Sequence, residues 1–236
     1  MKYIVSLSGG KDSMATAILA KAYGLPLDAA VYVRVMFDET RSAEPPEHEE
    51  FMQKVAIPTL ESWGVPVIVL QSDKTFKDVF YHVRRKGNHV GQIIGFPMQG
   101  KCEVNSACKR PCFKKADKLF PGEQVIQYVG IALDEPKRLE RLKENRVSLL
   151  AQYGYTEKMA TYLCKYYGLL SPMYEYTSRG GCFFCPNTRD SALKHLREYH
   201  PDLWGELLEM SAAPNKIKDT FSRTETLEEI DKRLGG

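Results

Sequence analysis

Short apolar runs alternate with helical patterns along the first half of the chain. The runs cover residues 3–7, 29–37, 66–70 and 125–131, and each has the length and composition of a strand buried in a parallel sheet. Between them, Met14–Tyr23 and His48–Trp63 have helical spacing, and Pro58 is expected to kink or interrupt the second helix. This order of elements predicts βαβ units, and therefore an α/β fold with a doubly wound parallel sheet.

The second half of the chain has a different pattern. Gly87–Gly122 is less periodic and predicts loop and short helix, whereas the sequence from Pro136 onward is helical, with breaks at Ser171–Pro172 and Ser178–Asn187. We therefore expect an α/β domain over residues 1–145 and a helical C-terminal region over residues 146–236, packed on the same domain.

Composition excludes several classes of protein. The 236 residues carry 33 Lys and Arg against 30 Asp and Glu, and 43% are hydrophobic, as in an ordinary globular protein. No segment approaches the ~20 apolar residues of a membrane span, and the N-terminus lacks the pattern of a signal peptide. We expect a cytoplasmic protein without a membrane partner, in which the six cysteines are thiols or metal ligands rather than disulfides.

Ser8–Ser13, with the sequence SGGKDS, lies between the first predicted strand and the first predicted helix. That position directs backbone N–H groups and the positive end of a helix toward an anion. The two glycines allow close approach of a phosphate, Lys11 adds a positive charge, Asp12 can hold Mg²⁺, and Ser8 and Ser13 offer hydroxyl groups. The alternative is a tight turn that only uses its glycines.

The cysteines form two groups with metal-ligand spacing. Cys182 and Cys185 form a C-x-x-C pair, and Cys102, Cys108 and Cys112 lie close together earlier in the chain. Two such groups predict a four-thiolate metal centre, with a redox dithiol at the C-x-x-C pair as the alternative. Zinc and a [4Fe–4S] cluster both accept four thiolates. The remaining cysteine, Cys164, is predicted to be a small buried side chain on a helix.

Three segments together resemble one enzyme group. Ser8–Ser13 resembles the PP-loop of the ATP pyrophosphatases, and Gly130–Arg138 and Arg179–Pro186 resemble two further motifs of the phosphoadenosine phosphosulfate (PAPS) reductase-like family. The resemblance implies a PP-loop fold and cleavage of ATP to AMP and pyrophosphate, with adenylation of a substrate oxygen that a nitrogen or sulfur nucleophile then displaces. PAPS reductases usually lack the Lys–Asp pair of the loop and carry a C-terminal cysteine, whereas this chain has no cysteine after Cys185. The intact loop favours activation by ATP.

The residues near the predicted strand ends complete the expected site. Asp134, Glu135 and Arg138 follow the strand over 125–131, at the edge of the sheet where doubly wound folds bind ligands. Arg138 can clamp a phosphate or sulfate, and the alternative for these three residues is a helix start with an internal ion pair. With the resemblance, the predicted catalytic residues are Lys11, Asp12 and Arg138, and the predicted nucleotide contacts are Ser6, Ser8, Gly9, Gly10, Lys11, Asp12, Ser13, Asp38, Gly130, Asp134 and Glu135.

The resemblance also suggests the metal ligands and the cofactors. It favours Cys102, Cys108, Cys182 and Cys185 as ligands, with Cys112 in reserve, and a [4Fe–4S] cluster over Zn²⁺. ATP and Mg²⁺ are the other expected cofactors.

The expected function is therefore that of an ATP-dependent transferase in sulfur transfer. One alternative is a PAPS or adenylylsulfate reductase. The other is a zinc-stapled nucleotide- or nucleic-acid-binding module without turnover, which the six basic and two acidic residues of Gln99–Lys118 would suit. The partner is an adenine nucleotide, the acceptor is a small molecule, RNA or DNA, and a homodimer is left open.

Overall fold

A five-stranded parallel sheet is the centre of the computed structural model, which describes residues 1–97, 102–116 and 118–235. The strands lie in the order β3-β2-β1-β4-β5. Parallel pairing joins β1 to β2, β1 to β4, and β4 to β5. The strands are β1 (Lys2–Leu7), β2 (Ala29–Arg34), β3 (Val67–Gln71), β4 (Val125–Tyr128) and β5 (Arg146–Val147).

Helices occupy most of the connections and the C-terminal third of the chain. They are α1 (Lys11–Ala22), α2 (Pro46–Phe51), α3 (Ile57–Ser62), α4 (Phe76–Phe80), α5 (Arg110–Ala116), α6 (Pro136–Leu139), α7 (Leu149–Gln152), α8 (Glu157–Tyr166), α9 (Asp190–Tyr199), α10 (Pro201–Ser211) and α11 (Leu227–Gly235). The described residues also form π-helical turns over Met52–Ala56 and Asn105–Lys109 and a 3₁₀ turn over Pro172–Glu175.

Both faces of the sheet are covered, as the apolar strands require. Val5 and Tyr32 point into a core that α1, α7 and α8 line, whereas Ile4 and Val31 pack with Ala116 on the opposite face. This alternation is the two-residue period of a strand. The prediction of a parallel α/β sheet with helices around it is confirmed.

The order of the strands reverses at β1. The chain runs from β1 outward to β2 and β3, and then returns to the other side of β1 to form β4 and β5. Ligands of doubly wound sheets bind beyond the carboxyl ends of the strands at such a switch point. The segments that follow β1 and β4 are Ser8–Ser13 and Gly130–Arg138, so the topology brings together two of the three motifs found in the sequence.

Three details differ from the expected elements. β2 ends at Arg34, because Val35 and Phe37 turn into a tight loop in which Phe37 N–H bonds Arg41 O and Ala43 N–H bonds Val35 O. The two-residue strand β5 had no pattern long enough to predict it. Pro58, which was expected to interrupt the helix over His48–Trp63, lies in the first turn of α3, directly after the π-helical turn. The helix is therefore locally widened before the proline and is not broken.

The chain divides into two compact units, each built from three segments. The first consists of residues 1–33, 46–70 and 112–174, and holds almost the whole sheet with α1 and α8. The second consists of residues 34–45, 71–111 and 175–236 and has its own aromatic core, in which Phe76 stacks on Phe184 with ring centroids 3.6 Å apart. Among the described residues, no helix is both long and apolar enough to cross a membrane.

Candidate functional site

At one position, the loop between β1 and α1 has a backbone conformation and packing that only glycine allows. Gly9 has a φ of +69°, and a Cβ there would lie 2.2 Å from Met52 Sδ and 2.7 Å from His48 Cε1. Gly10, in extended conformation, is the N-cap of α1. The two glycines therefore hold a close-packed loop at a helix N-terminus, the geometry expected of an anion site.

Hydroxyl groups of the loop satisfy part of its backbone. Ser13 Oγ accepts the Ser8 N–H at 3.1 Å and donates to Gly10 O at 2.9 Å, and Ser8 Oγ accepts the Gly10 N–H at 3.4 Å. The two hydroxyl oxygens lie 3.1 Å apart. Both serines that the sequence predicted as phosphate contacts thus lie inside the loop and fix its shape.

Lys11 and Asp12 form a charged cluster with Glu157, the first residue of α8. Lys11 Nζ lies 2.8 Å from Asp12 Oδ2 and 3.2 Å from Glu157 Oε2. Burial lowers the pKa of Lys11, but the hydrogen bonds to the two carboxylates outweigh it and raise the pKa, so the ammonium stays charged. Burial raises the pKa of Asp12, and Glu157 and Glu135 raise it further against the opposing effect of Lys11.

The segment after β4 packs against the same loop. A Cβ on Gly130 would lie 2.7 Å from both Asp12 C and Ser13 N, so the backbone at Gly130 touches the first turn of α1. Because a strand end and a helix N-terminus meet there without an intervening side chain, Gly130 sets the distance between the two motifs. The structure therefore brings Gly130 to the predicted site.

The acidic residues of this segment hold the local backbone. Asp134 Oδ1 accepts the N–H of Glu157 at 3.0 Å, and Glu135 Oε2 accepts the N–H of Ala132 at 3.1 Å. Arg138 donates to Glu135 Oε1 at 2.6 Å in an i,i+3 ion pair, with its side chain 57% exposed. This ion pair is the alternative considered for the three residues, and the role of Arg138 as a phosphate clamp stays a prediction.

Two residues at the loop were not expected from the sequence. His48 is 1% exposed, and its Nε2 lies 3.0 Å from Ser8 O while its Nδ1 lies 2.8 Å from Ser171 Oγ. Since a carbonyl oxygen only accepts, Nε2 carries a hydrogen in this arrangement. Tyr174 Oη accepts the Lys11 N–H at 2.9 Å. No local motif marks either residue, because both contacts join distant parts of the chain.

Two predicted nucleotide contacts have other partners. Ser6 Oγ accepts a hydrogen bond from Gln127 Nε2 at 2.6 Å, between β1 and β4. Asp38 belongs to the second unit, where it accepts hydrogen bonds from Thr40 and from the backbone and guanidinium of Arg41. Burial opposes ionisation of Asp38, but these hydrogen bonds outweigh it and hold its pKa well below the usual range. The carboxylate is thus engaged in shaping the turn after Val35.

Three of the four predicted metal ligands are in one environment of the second unit. The Lys109 ammonium lies within electrostatic reach of Cys102, Cys182 and Cys185, and of the buried carboxyl of Glu44. Burial lowers the pKa of Lys109, but these groups reverse the shift and raise it. Burial also raises the pKa of the Cys182 thiol, against the opposing effect of Lys109.

The C-x-x-C pair lies on a tight turn. Cys185 N–H bonds Cys182 O at 3.0 Å, and Thr188 N–H bonds Cys185 O at 2.9 Å. Cys102, which is exposed, accepts the Asn105 N–H on its sulfur at 3.4 Å. No three cysteine sulfurs of the described ranges lie within 4.8 Å of one another.

The remaining cysteines are buried. The Cys108 thiol donates to Lys74 O at 3.3 Å and lies in the aromatic core of the second unit. Cys164, in the first unit, is fully buried as the sequence predicted, and its thiol donates to Lys11 O at 3.1 Å. Burial, with a further effect of Asp12, raises the pKa of Cys164 to about 12, so this thiol is not a nucleophile at neutral pH. Cys112 is also buried, in α5.

Part of the basic segment lies outside the described residues. That part includes Gln99, Gly100, Lys101 and Asp117. The prediction of a nucleic-acid surface over Gln99–Lys118 can therefore be compared with the structure only at the remaining positions of the segment. There, Lys109 is half-buried beside the cysteines.

Compared with known proteins, the chain matches no protein-family model and no curated protein.

Proposed function

We propose that this chain is an ATP-binding enzyme of the PP-loop type, a transferase that adenylates an acceptor, releases pyrophosphate and acts in sulfur transfer. The observation that carries the proposal is the Ser8–Ser13 loop. It joins a glycine-dependent backbone, a helix N-terminus and a charged lysine at the switch point of a parallel sheet. Each of these features favours bound phosphate, and their coincidence at one strand end favours a nucleotide.

In the proposed reaction an acceptor oxygen attacks the α-phosphorus of ATP. A bond forms between this oxygen and the α-phosphorus, and the bond from the α-phosphorus to the oxygen bridging to the β-phosphorus breaks. The electron pair leaves with pyrophosphate. A sulfur or nitrogen nucleophile then attacks the activated carbon of the acceptor, and AMP departs with the acceptor oxygen.

Lys11 is the residue proposed to stabilise the departing pyrophosphate. Its ammonium stays charged beside Asp12 and Glu157, and a phosphate oxygen can replace a carboxylate oxygen as its partner. Charge that develops on the leaving group is stabilised best by a positive group already in place. We propose that the N-terminal end of α1 binds the remaining phosphate oxygens and that Arg138 holds the acceptor or the α-phosphate.

Asp12 is the residue proposed to bind Mg²⁺. Its carboxylate is disfavoured by burial and by the nearby Glu157 and Glu135, so a divalent cation would stabilise its ionised form. Mg²⁺ supplies charge neutralisation of the ATP phosphates when bound. Oxygen ligands on Asp12 fit this hard cation.

The cysteines of the second unit are proposed to hold an iron–sulfur cluster. Cys102, Cys182 and Cys185 supply three sulfur ligands around Lys109, and Cys108 is the fourth candidate once its thiol leaves Lys74 O. One zinc ion with Zn–S bonds of about 2.3 Å requires sulfurs roughly 3.8 Å apart. A [4Fe–4S] cluster binds its thiolates on different irons, so it does not require the four sulfurs to converge on one ion. Such a cluster supplies sulfur or electron transfer when bound.

The products formed from ATP test the central proposal. Purified protein with Mg²⁺ and ATP, followed by ³¹P NMR, is expected to yield AMP and pyrophosphate, because water can take the place of the acceptor oxygen and attack the α-phosphorus. Formation of ADP and inorganic phosphate would instead show cleavage at the γ-phosphate and would contradict adenylation. A phosphosulfate reductase would bind a PAPS analogue tightly and leave ATP unchanged.

Metal analysis tests the cluster. Protein purified without oxygen is expected to contain about four irons with matching acid-labile sulfide and a broad visible absorbance. Cys182→Ser should abolish that absorbance, because it removes a ligand from the turn that carries two of the thiols. Cys164→Ser, which changes a buried thiol of the first unit, should keep it. One zinc per chain without sulfide would replace the cluster by a structural zinc site.

A further inference from the structure

The turn over residues 171–174 contacts the Ser8–Ser13 loop at two points. His48 connects Ser171 Oγ to Ser8 O, and Tyr174 Oη accepts the Lys11 N–H at 2.9 Å. Tyr174 N–H bonds Ser171 O at 3.1 Å, so one short turn fixes both contacts. Hydrogen bonds at its backbone and at its hydroxyl therefore fix the position of Tyr174.

That hydroxyl lies beside the helix N-terminus at which a phosphate oxygen would bind. Lys11 is the first residue of α1, and its N–H is one of the groups that the helix N-terminus directs at an anion. A Cβ on Gly10 would lie 3.2 Å from Tyr174 Oη, so the hydroxyl is also in contact range of the glycine backbone. Any oxygen bound at this end of the helix comes next to Tyr174 Oη.

The hydroxyl group has a hydrogen that it can donate to a ligand. In the bond with Lys11 N–H the tyrosine oxygen is the acceptor, and a phenol that accepts one hydrogen bond donates a stronger second one. Burial raises the pKa of Tyr174, so the proton stays on the oxygen at neutral pH. A phosphate oxygen is a charged acceptor and takes such a bond well.

We propose that Tyr174 is a phosphate-binding residue of this site, whose hydroxyl donates to a phosphate oxygen of the bound nucleotide. This inference rests on the proposed function, because it requires that the loop binds the phosphates of ATP. It adds a donor from residue 174 to a site that the sequence motif confines to residues 8–13. His48 is a positioning residue in this arrangement, since it reaches the ligand only through Ser8.

Tyr174→Phe tests the proposal because it removes only the hydroxyl and keeps the half-buried ring. Binding of inorganic pyrophosphate and of adenosine is measured by calorimetry for the wild-type chain, Tyr174→Phe and Tyr166→Phe. Tyr166 lies on α8 with 85% of its surface exposed, so its variant is a control for the same chemical change. We expect Tyr174→Phe to weaken pyrophosphate binding about tenfold, with adenosine binding unchanged and Tyr166→Phe identical to wild type.

The outcomes separate this inference from the proposed function. If wild type binds pyrophosphate and Tyr174→Phe binds it equally or more tightly, the hydroxyl only occupies the place of the anion, and the inference is overturned while the function stands. Equal losses of pyrophosphate and adenosine binding would show a structural role and overturn it as well. If wild type binds neither pyrophosphate nor ATP, both the function and the inference fail.

Discussion

Replacing Lys11 with alanine is expected to lower the rate of pyrophosphate release from ATP roughly 10³-fold. Its ammonium lies between Asp12 and Glu157, and its side chain is only 12% exposed. Without this ammonium, the negative charge that develops on pyrophosphate would lie close to the Asp12 and Glu157 carboxylates and would not be neutralised by residue 11. The measurement is the initial rate of AMP formation at saturating ATP and Mg²⁺.

The same substitution at a surface lysine is the control for Lys11→Ala. Lys54 forms an i,i+4 pair with Glu50 on an exposed helix face, so Lys54→Ala should keep the wild-type rate and melting temperature. Lys11→Ala should also remain folded, as judged by circular dichroism and a cooperative melt. A Lys11→Ala rate within tenfold of wild type would exclude this ammonium from the chemistry, whatever the stability of the variant.

Replacing Gly130 with alanine is expected to weaken ATP binding more than 100-fold and to destabilise the fold by about 1–3 kcal/mol. The added Cβ would lie 2.7 Å from Asp12 C and Ser13 N, and neither atom can move without displacing the first turn of α1. Backbone strain is not the cause, because no positive φ is required at Gly130. The measurements are ATP titration calorimetry and urea denaturation.

Gly205→Ala is the matched control for Gly130→Ala. Gly205 is inside α10, and a Cβ there meets nothing within 4 Å. Alanine is the better helix former, so this variant should be as stable as wild type or slightly more stable, with unchanged ATP affinity. Wild-type affinity in Gly130→Ala would show that the anion site tolerates a shift of the helix start, and would disconnect the segment after β4 from binding.

The parallel sheet could be predicted from the sequence because each strand of β1–β4 is a short apolar run with helices between them. The C-terminal end of β2 could not be predicted. Val35 and Phe37 are as apolar as the strand before them, but they pack into the core of the second unit. Local hydrophobicity reports that a residue is buried and does not report in which core.

The Ser8–Ser13 loop could also be predicted as a turn between a strand and a helix, since its residues are consecutive and lie at a strand end. Its supporting residues could not be found in this way. His48 had only a helical pattern around it, and Tyr174 follows a break in the helical region. Both reach the loop through tertiary contacts, and hydrogen bonds of that kind leave no periodic signal in one sequence. The hydrogen bond from the Cys108 thiol to Lys74 O is of the same kind, because the spacing of the cysteines does not show it.

The hydrogen bond between Lys11 and Tyr174 joins residues 163 positions apart, and it has a consequence for synthesis on the ribosome. Lys11 and the rest of the loop leave the exit tunnel long before Tyr174 is translated. During that interval β1 can pair with β2, but α8 and the turn that holds the loop do not yet exist. The nascent chain therefore cannot complete its candidate ATP site until Tyr174 has been made, and a fragment that stops before Glu157 would never complete it.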